Sequence, residues 1–401
     1  METIPRLRYS LSSVSTLHVN ELRIALLNWA LARSLDGDFV LRVDDLDRGG
    51  NSAEKLHRQI NALRWLNLDW DEGPDLGGEF GPYRQSQRTK RHEAVAQQLE
   101  QNGIALDQAT RYLLPTVVDD HDMAITHIVQ DAQQTEDASA QLAIYNALAW
   151  QPPVRIDIPS VVNHQQQALG NRDRNGGYLL RHFQQAGFLP QALWNYLLLL
   201  GWTPKSGAAL FTKWTVRKQF QLDTSSASAP IFDWDTLRQL NQQAIQKLSV
   251  DQLADQLLDF LEDAYGALPN SNAWLQHLTE AIRSDLVVLD DAVEAAEWAF
   301  DMPETTAEAK HYLQASSAKP ILARLLAEFA TVVLLDDATG HRIVASTQAR
   351  LQASDQLSAD AFQFTLRSAL IGRTNGPELD KILGILGKQR TLERIGAALR
   401  G

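Results

Sequence analysis

Between Arg8 and Arg48 the sequence sets down four pieces in a fixed order: a strand candidate, a serine-rich turn, a helix and a second strand. Leu7–Ser10 reads as the first strand, and residues 11–16 as the turn. Apolar residues then recur at helical spacing at Leu22, Ala25, Leu26, Trp29 and Ala30. Asn20 is the expected N-cap. Asp36-Gly37-Asp38 is a turn signal, and Phe39-Val40-Leu41-Arg42-Val43 a largely buried strand. This is the first half of a β-α-β unit, whose turn backs onto a helix start. Free N–H groups and the helix dipole make such a place a natural anion site.

The alternation continues. Helices are expected around Leu56–Leu63 (capped by Ser52), over Thr89–Gln101, Asp137–Leu148, Gly176–Ala186 and Leu189–Leu200. Strands are expected at Leu113–Val118, leading into Asp119-Asp120-His121-Asp122, at Ile125–Val129 and at Ile156–Val162. The predicted fold class is therefore α/β, a Rossmann-like doubly wound parallel sheet. Beyond Trp202 strand signals give way to helical stripes, such as Leu253, Leu257, Leu258 and Leu261, then Ile321, Leu322, Leu325 and Leu326. We expect two domains, 1–205 and an all-α 206–401.

Charge and composition remove several functions. A net charge of −12 gives no global basic field, so any nucleic-acid surface has to be local. With no cysteine, disulfides, thiol catalysis and thiolate zinc sites are excluded, and ten scattered histidines do not suggest a metal site. No apolar run reaches membrane-spanning length, so a cytoplasmic protein without membrane contact is expected.

Several ordered segments together resemble bacterial-type glutamyl-tRNA synthetases: D-W-D-E-G-P at 69–74, G-P-Y-R-Q-S-Q-R at 81–88, V-V-D-D-H-D at 117–122, G-F-L-P-Q-A-L-W-N-Y-L-L-L-L-G-W at 187–202, F-D-W-D at 232–235 and G-R-T-N-G-P at 372–377. The resemblance implies a class I catalytic domain followed by a helical anticodon-binding domain. It also implies ATP-dependent activation of glutamate and tRNA as partner. It assigns substrate contacts to Arg8, Ser12, Asp44, Tyr112 and Gln130. Nucleotide contacts fall on His18, Asn20, Leu169, Gly170, Asn171 and Arg172, with His18 and Arg172 as the catalytic remnants. Tyr83, Gln85, Arg88 and the Asp119-Asp120-His121 run are framework in the family, which we read as hydrogen bonding at a strand end. Arg8 is expected either to clamp a substrate carboxylate or to pair with Asp44 or Asp45.

The departures from the family pattern lie at chemistry positions. The helix-start tetrad is His18-Val19-Asn20-Glu21, with Asn20 where the family has a close-approach glycine. A carboxylate at Glu21 suits a helix start but would repel a polyphosphate. The second signature is Ala168-Leu169-Gly170-Asn171-Arg172, lacking both lysines, and Gln130 stands at the second pocket arginine. Losing one transition-state donor of this kind costs ~100- to 1000-fold in rate. Between Asn102 and Tyr112 too few residues remain for the family's acceptor-end domain, and ATP binding is expected to be weakened. Three readings follow: a synthetase-like pseudoenzyme that keeps a binding or regulatory role, an active ligase with an unusual acceptor, or a protein-interaction subunit. The arginines and lysines at Arg342, Arg373, Lys381 and Lys388 are read as solvated surface or as remnants of a tRNA-facing one.

Overall fold

The computed structural model describes residues 4–12, 17–46, 53–169, 177–205, 207–222, 228–269, 271–355 and 358–400. Four parallel strands build one sheet: β1 (Arg6–Ser12), β2 (Asp38–Asp44), β3 (His127–Asp131) and β4 (Val154–Ile158), in the order β2-β1-β3-β4. β1 and β2 run side by side over their whole length, from Arg6 opposite Asp38 to Ser12 opposite Asp44. The helix α1 (Val19–Ser34) crosses between them and buries Leu22, Ala25, Leu26, Trp29 and Ala30, the face expected from their spacing.

The helices α2 (Ala53–Trp65), α3 (Thr89–Gln101), α4 (Gln108–Asp122) and α5 (Thr135–Ala147) follow. Ser52 lies outside the described residues. The helix α4 corrects an expectation, because Leu113–Val118 is helical and not a strand. Its β-branched run and Pro115 favour extended backbone locally. Tertiary packing overrides that preference: Leu113, Leu114, Val117 and Val118 join Val95 and Leu99 of α3 and Ile144, Tyr145 and Leu148 in one buried cluster. Asp107 caps the helix by accepting from the Thr110 N–H at 2.8 Å. Asp119 and Asp120 therefore sit on the last turn of a helix, and the strand-end reading of that run falls.

The helices α6 (Leu180–Gln185), α7 (Pro190–Leu199), α8 (Lys213–Gln219) and α9 (Trp234–Lys247) complete this part of the chain. Two compact units divide at 244/245, not near 205. The reason is aromatic: Phe211 and Phe220 pack on Trp202, and Phe232 and Trp234 on Phe183, so these side chains share the first unit's core. Trp70 and Trp194 are buried, whereas Trp65 and Trp150 are half-buried and Trp150 stacks on His121.

In the second unit, from Ile245 on, helices are the only regular structure among the described residues. The stripe Leu253, Leu257 and Leu261 is buried on the helix Val250–Tyr265, while Ile321, Leu322 and Leu325 are buried on Ala318–Thr331. Lys388, read as a surface cation, donates through Nζ to the carbonyls of Ala330 at 3.0 Å and Val332 at 2.7 Å. It thereby neutralises the end of Ala318–Thr331, where carbonyls lack helical partners.

Candidate active site

In an open α/β sheet, ligands bind past the carboxyl ends of the strands where the strand order reverses. Here the chain goes from β1 to β2 on one side and then adds β3 on the other, so the reversal lies between Ser12 of β1 and Asp131 of β3. A cavity of about 520 Å3 opens there, lined among others by Arg8, Ser10, Ser12, Asp44, Gln130 and Tyr112. All five residues assigned to the substrate thus come together around one space.

The floor of the cavity is an ion network. Arg8 forks onto Asp120, donating from Nε at 2.6 Å and from Nη2 at 2.9 Å. Arg42 donates to the same carboxylate through Nη1 at 2.6 Å, and to Asp44 through Nε at 2.7 Å and Nη2 at 3.1 Å. Arg8 therefore pairs with neither Asp44 nor Asp45 but with Asp120, which α4 delivers to the sheet face. The side chain of Arg42 is wholly buried and that of Asp120 is 3% exposed. Burial alone would raise the Asp120 carboxyl, but the Arg8 and Arg42 guanidiniums hold it below its ordinary value. Burial likewise opposes the Arg42 charge, and Asp44 and Asp120 outweigh it, so its pKa is raised. At the far strand, Gln130 donates from Nε2 to Asp157 at 2.8 Å. Tyr112, 66% exposed, stands at the cavity rim. Two N–H groups of Arg8 are thus spoken for by the protein itself.

The start of α1 is likewise closed in by protein groups. His18 is the N-cap, not Asn20, and its ring is buried. The Glu21 carboxylate accepts from the His18 backbone N–H at 3.0 Å, and the first helical amide, Val19, donates to the Tyr178 carbonyl at 3.1 Å. Asn20 reaches sideways instead: its Oδ1 accepts from the Val161 N–H at 2.7 Å, and its Nδ2 donates to the Leu169 carbonyl. Leu169 is buried, and the neighbouring Ala168 bridges to Val162. Gly170, Asn171 and Arg172 lie outside the described residues.

Behind this site stands a scaffold of paired charges. Arg88 donates from Nε to Asp119 at 2.7 Å and from Nη2 to Asp122 at 2.9 Å, and His92 Nε2 lies 2.8 Å from Asp119. Tyr83 donates its hydroxyl to Glu72, which also takes a hydrogen bond from Arg6. Asp119 and Asp120 point to two different networks from the last turn of α4.

The family described as "tRNA synthetases class I (E and Q), catalytic domain" matches residues 6–112 and 106–239, and an "Anticodon binding domain" family matches 252–399. The chain belongs to the class I tRNA synthetases for glutamate and glutamine. Among curated relatives of this synthetase family, the "Glutamate--tRNA ligase" of Desulforamulus reducens is 28% identical over 485 positions, covering 98% of this chain and 99% of its own. That of Bacillus licheniformis is 27% identical over 479 positions, covering 97% and 98%. Both alignments are longer than the 401-residue chain, so these relatives carry residues that this synthetase homologue lacks. Among solved structures, a glutamate tRNA ligase from Elizabethkingia meningosepticum in complex with its amino acid superposes with a TM-score of 0.85 at 18% identity, over 99% of both chains. A glutamate-tRNA synthetase from Elizabethkingia anophelis gives 0.84. The parallel sheet followed by a helical anticodon-binding region is thus the family fold.

The sequence missed Asp120 as the partner of both arginines. A signal was present, since Arg42 sits in the apolar run Phe39–Val43, and a buried guanidinium needs a buried acid. Nothing local, however, said which acid would reach it.

Proposed function

We propose that this glutamyl-tRNA synthetase homologue has lost ATP-dependent activation of glutamate and keeps a binding or regulatory role. One observation carries the reading: the helix start that would approach the ATP phosphates is bound by the chain's own groups. Asn20 ties it to Val161 and Leu169, and Glu21 sets a carboxylate beside it. At an effective dielectric of 20, two like charges about 4 Å apart repel by roughly 4 kcal/mol. These residues fit a triphosphate poorly, and no step of adenylate formation is derived from them. The commitment of Arg8 to Asp120, and Gln130 in place of a cation, support the same conclusion for glutamate.

A second reading, an active glutamate–tRNA ligase, is favoured by the 26–28% identity to such ligases over nearly the whole chain. Amino-acid-dependent ATP–pyrophosphate exchange separates the two. Run with glutamate, glutamine and a panel of other amino acids, with and without tRNA, it is expected to stay at background. Robust exchange with any of them overturns the pseudoenzyme reading. The anticodon-binding region supports tRNA as the retained partner, and a gel shift without retardation at low salt would favour a protein partner instead.

A further inference from the structure

The geometry points to a second ligand site in the first unit, a pocket for a small oxyanion, carboxylate or phosphate, built around Arg23. A cavity of about 590 Å3 opens between Arg23 of α1, the end of β4 at Ile158–Pro159, the turn Leu199–Lys205 after α7, and Gln219–Leu222 after α8. It shares no lining residue with the cavity at the strand-order reversal.

The charge of this space is unlike that of the molecule. The chain holds 49 acidic against 37 basic residues, yet among the described residues the cavity lining contains Arg23 and Lys205 and no Asp or Glu. Arg23 is only 4% exposed. Its hydrogen bonds go to neutral groups, Nη1 to the Pro159 carbonyl at 2.8 Å and Nη2 to the Leu200 carbonyl at 3.1 Å, and Nε has no partner among the described residues. Asp131 acts on it only through space, because that carboxylate already accepts from the Ser160 hydroxyl and the Gln133 N–H. Burial accordingly pushes the Arg23 guanidinium down to about 10. A buried cation held only by neutral carbonyls is costly, and an anion in the adjoining cavity offsets that cost.

The neighbours suit such an occupant. A Cβ at Gly201 would come within 3.2 Å of Arg23 Nη2, so the glycine leaves the guanidinium its room. The side-chain oxygen of Gln219 is buried without a partner among the described residues, ready for a hydroxyl or acid proton on the ligand. Lys205, exposed at the mouth, adds the second cation, and Trp202 and Leu222 offer apolar wall to a short carbon skeleton. The volume lies within the range of small-molecule sites.

The test is isothermal titration of the full chain with sodium phosphate and, separately, sodium malonate, in chloride buffer at constant ionic strength, without ATP or amino acid. Saturable binding of either anion is expected. Lys205→Glu, an exposed change that spares the fold, should weaken it at least about tenfold, since it reverses a charge at the mouth. Arg111→Ala, at the other cavity, should leave it unchanged. No saturable binding overturns the proposal. So does binding that survives Lys205→Glu but falls with Arg111→Ala, which would place the anion at the strand-order reversal.

Discussion

Asp120→Asn probes the ion network most directly. The substitution keeps the side-chain shape and removes the charge that Arg8 and Arg42 share. Asp120 receives three charge-assisted hydrogen bonds, at 2.6, 2.9 and 2.6 Å, on a side chain 3% exposed. An asparagine offers one acceptor oxygen and turns an NH2 group towards the guanidiniums, leaving Arg42, wholly buried, with Asp44 alone. Removing one partner of a buried pair costs about 3–5 kcal/mol, a large share of the roughly 5–15 kcal/mol that holds a domain. Urea unfolding followed by circular dichroism, with hydrogen exchange of the β1 amides to localise the loss, measures it. The exposed pair Arg64–Asp75 is the control, since Arg64→Ala should cost about 0–1 kcal/mol. If Asp120→Asn costs no more than that control, the network does not hold the sheet face together and the account of Arg8 is wrong. The pH dependence gives a second check. Because the Asp120 carboxyl is held below its ordinary value when folded, its contribution is complete above the usual carboxylate range. It is lost as pH falls through the folded value, so wild type loses stability in acid more steeply than Asp120→Asn.

Other expectations follow from the same contacts. Asn20→Ala removes the tie between the start of α1 and residues 161 and 169; it should cost about 1–3 kcal/mol for the unpaired backbone groups and speed exchange of the Val161 amide. Lys388→Met leaves two carbonyls at the end of Ala318–Thr331 without their cation and should destabilise the second unit by about 1 kcal/mol in thermal unfolding. With Arg8 committed to Asp120, saturating glutamate should not raise the thermal midpoint, and a clear upward shift would show that the clamp still works. If the helical unit binds tRNA through phosphate contacts, affinity should fall linearly on a log scale with salt in a gel-shift series.

The local pieces were legible because their signals are local. The period of Leu22, Ala25, Leu26, Trp29 and Ala30 set α1, and the apolar run at 39–43 set β2. The expected range Thr89–Gln101 likewise matches α3. α4 escaped because its residues favour a strand locally and only a cluster drawn from α3 and α5 makes them helical. The same misreading hid the site, since Asp120 reaches Arg8 and Arg42 from the last turn of a helix and not from the end of a strand. The boundary at 244/245 was hidden for a related reason, as Phe211, Phe220 and Phe232 look like any apolar residues until Trp202 and Phe183 are placed beside them.

By itself the sequence determined the family, the α/β order of the first unit, the helical second unit, and the substitutions at Asn20, Glu21, Ala168 and Gln130. Spacing and residue type suffice for these, because each is a property of neighbours along the chain. The tertiary structure alone decided what those residues do. It tied Arg8 to Asp120, sent Asn20 across to Val161 and Leu169, and buried Arg23 on the carbonyls of Pro159 and Leu200. Each pairing joins residues more than a hundred positions apart, and polar groups at that separation along the chain find each other only through the fold.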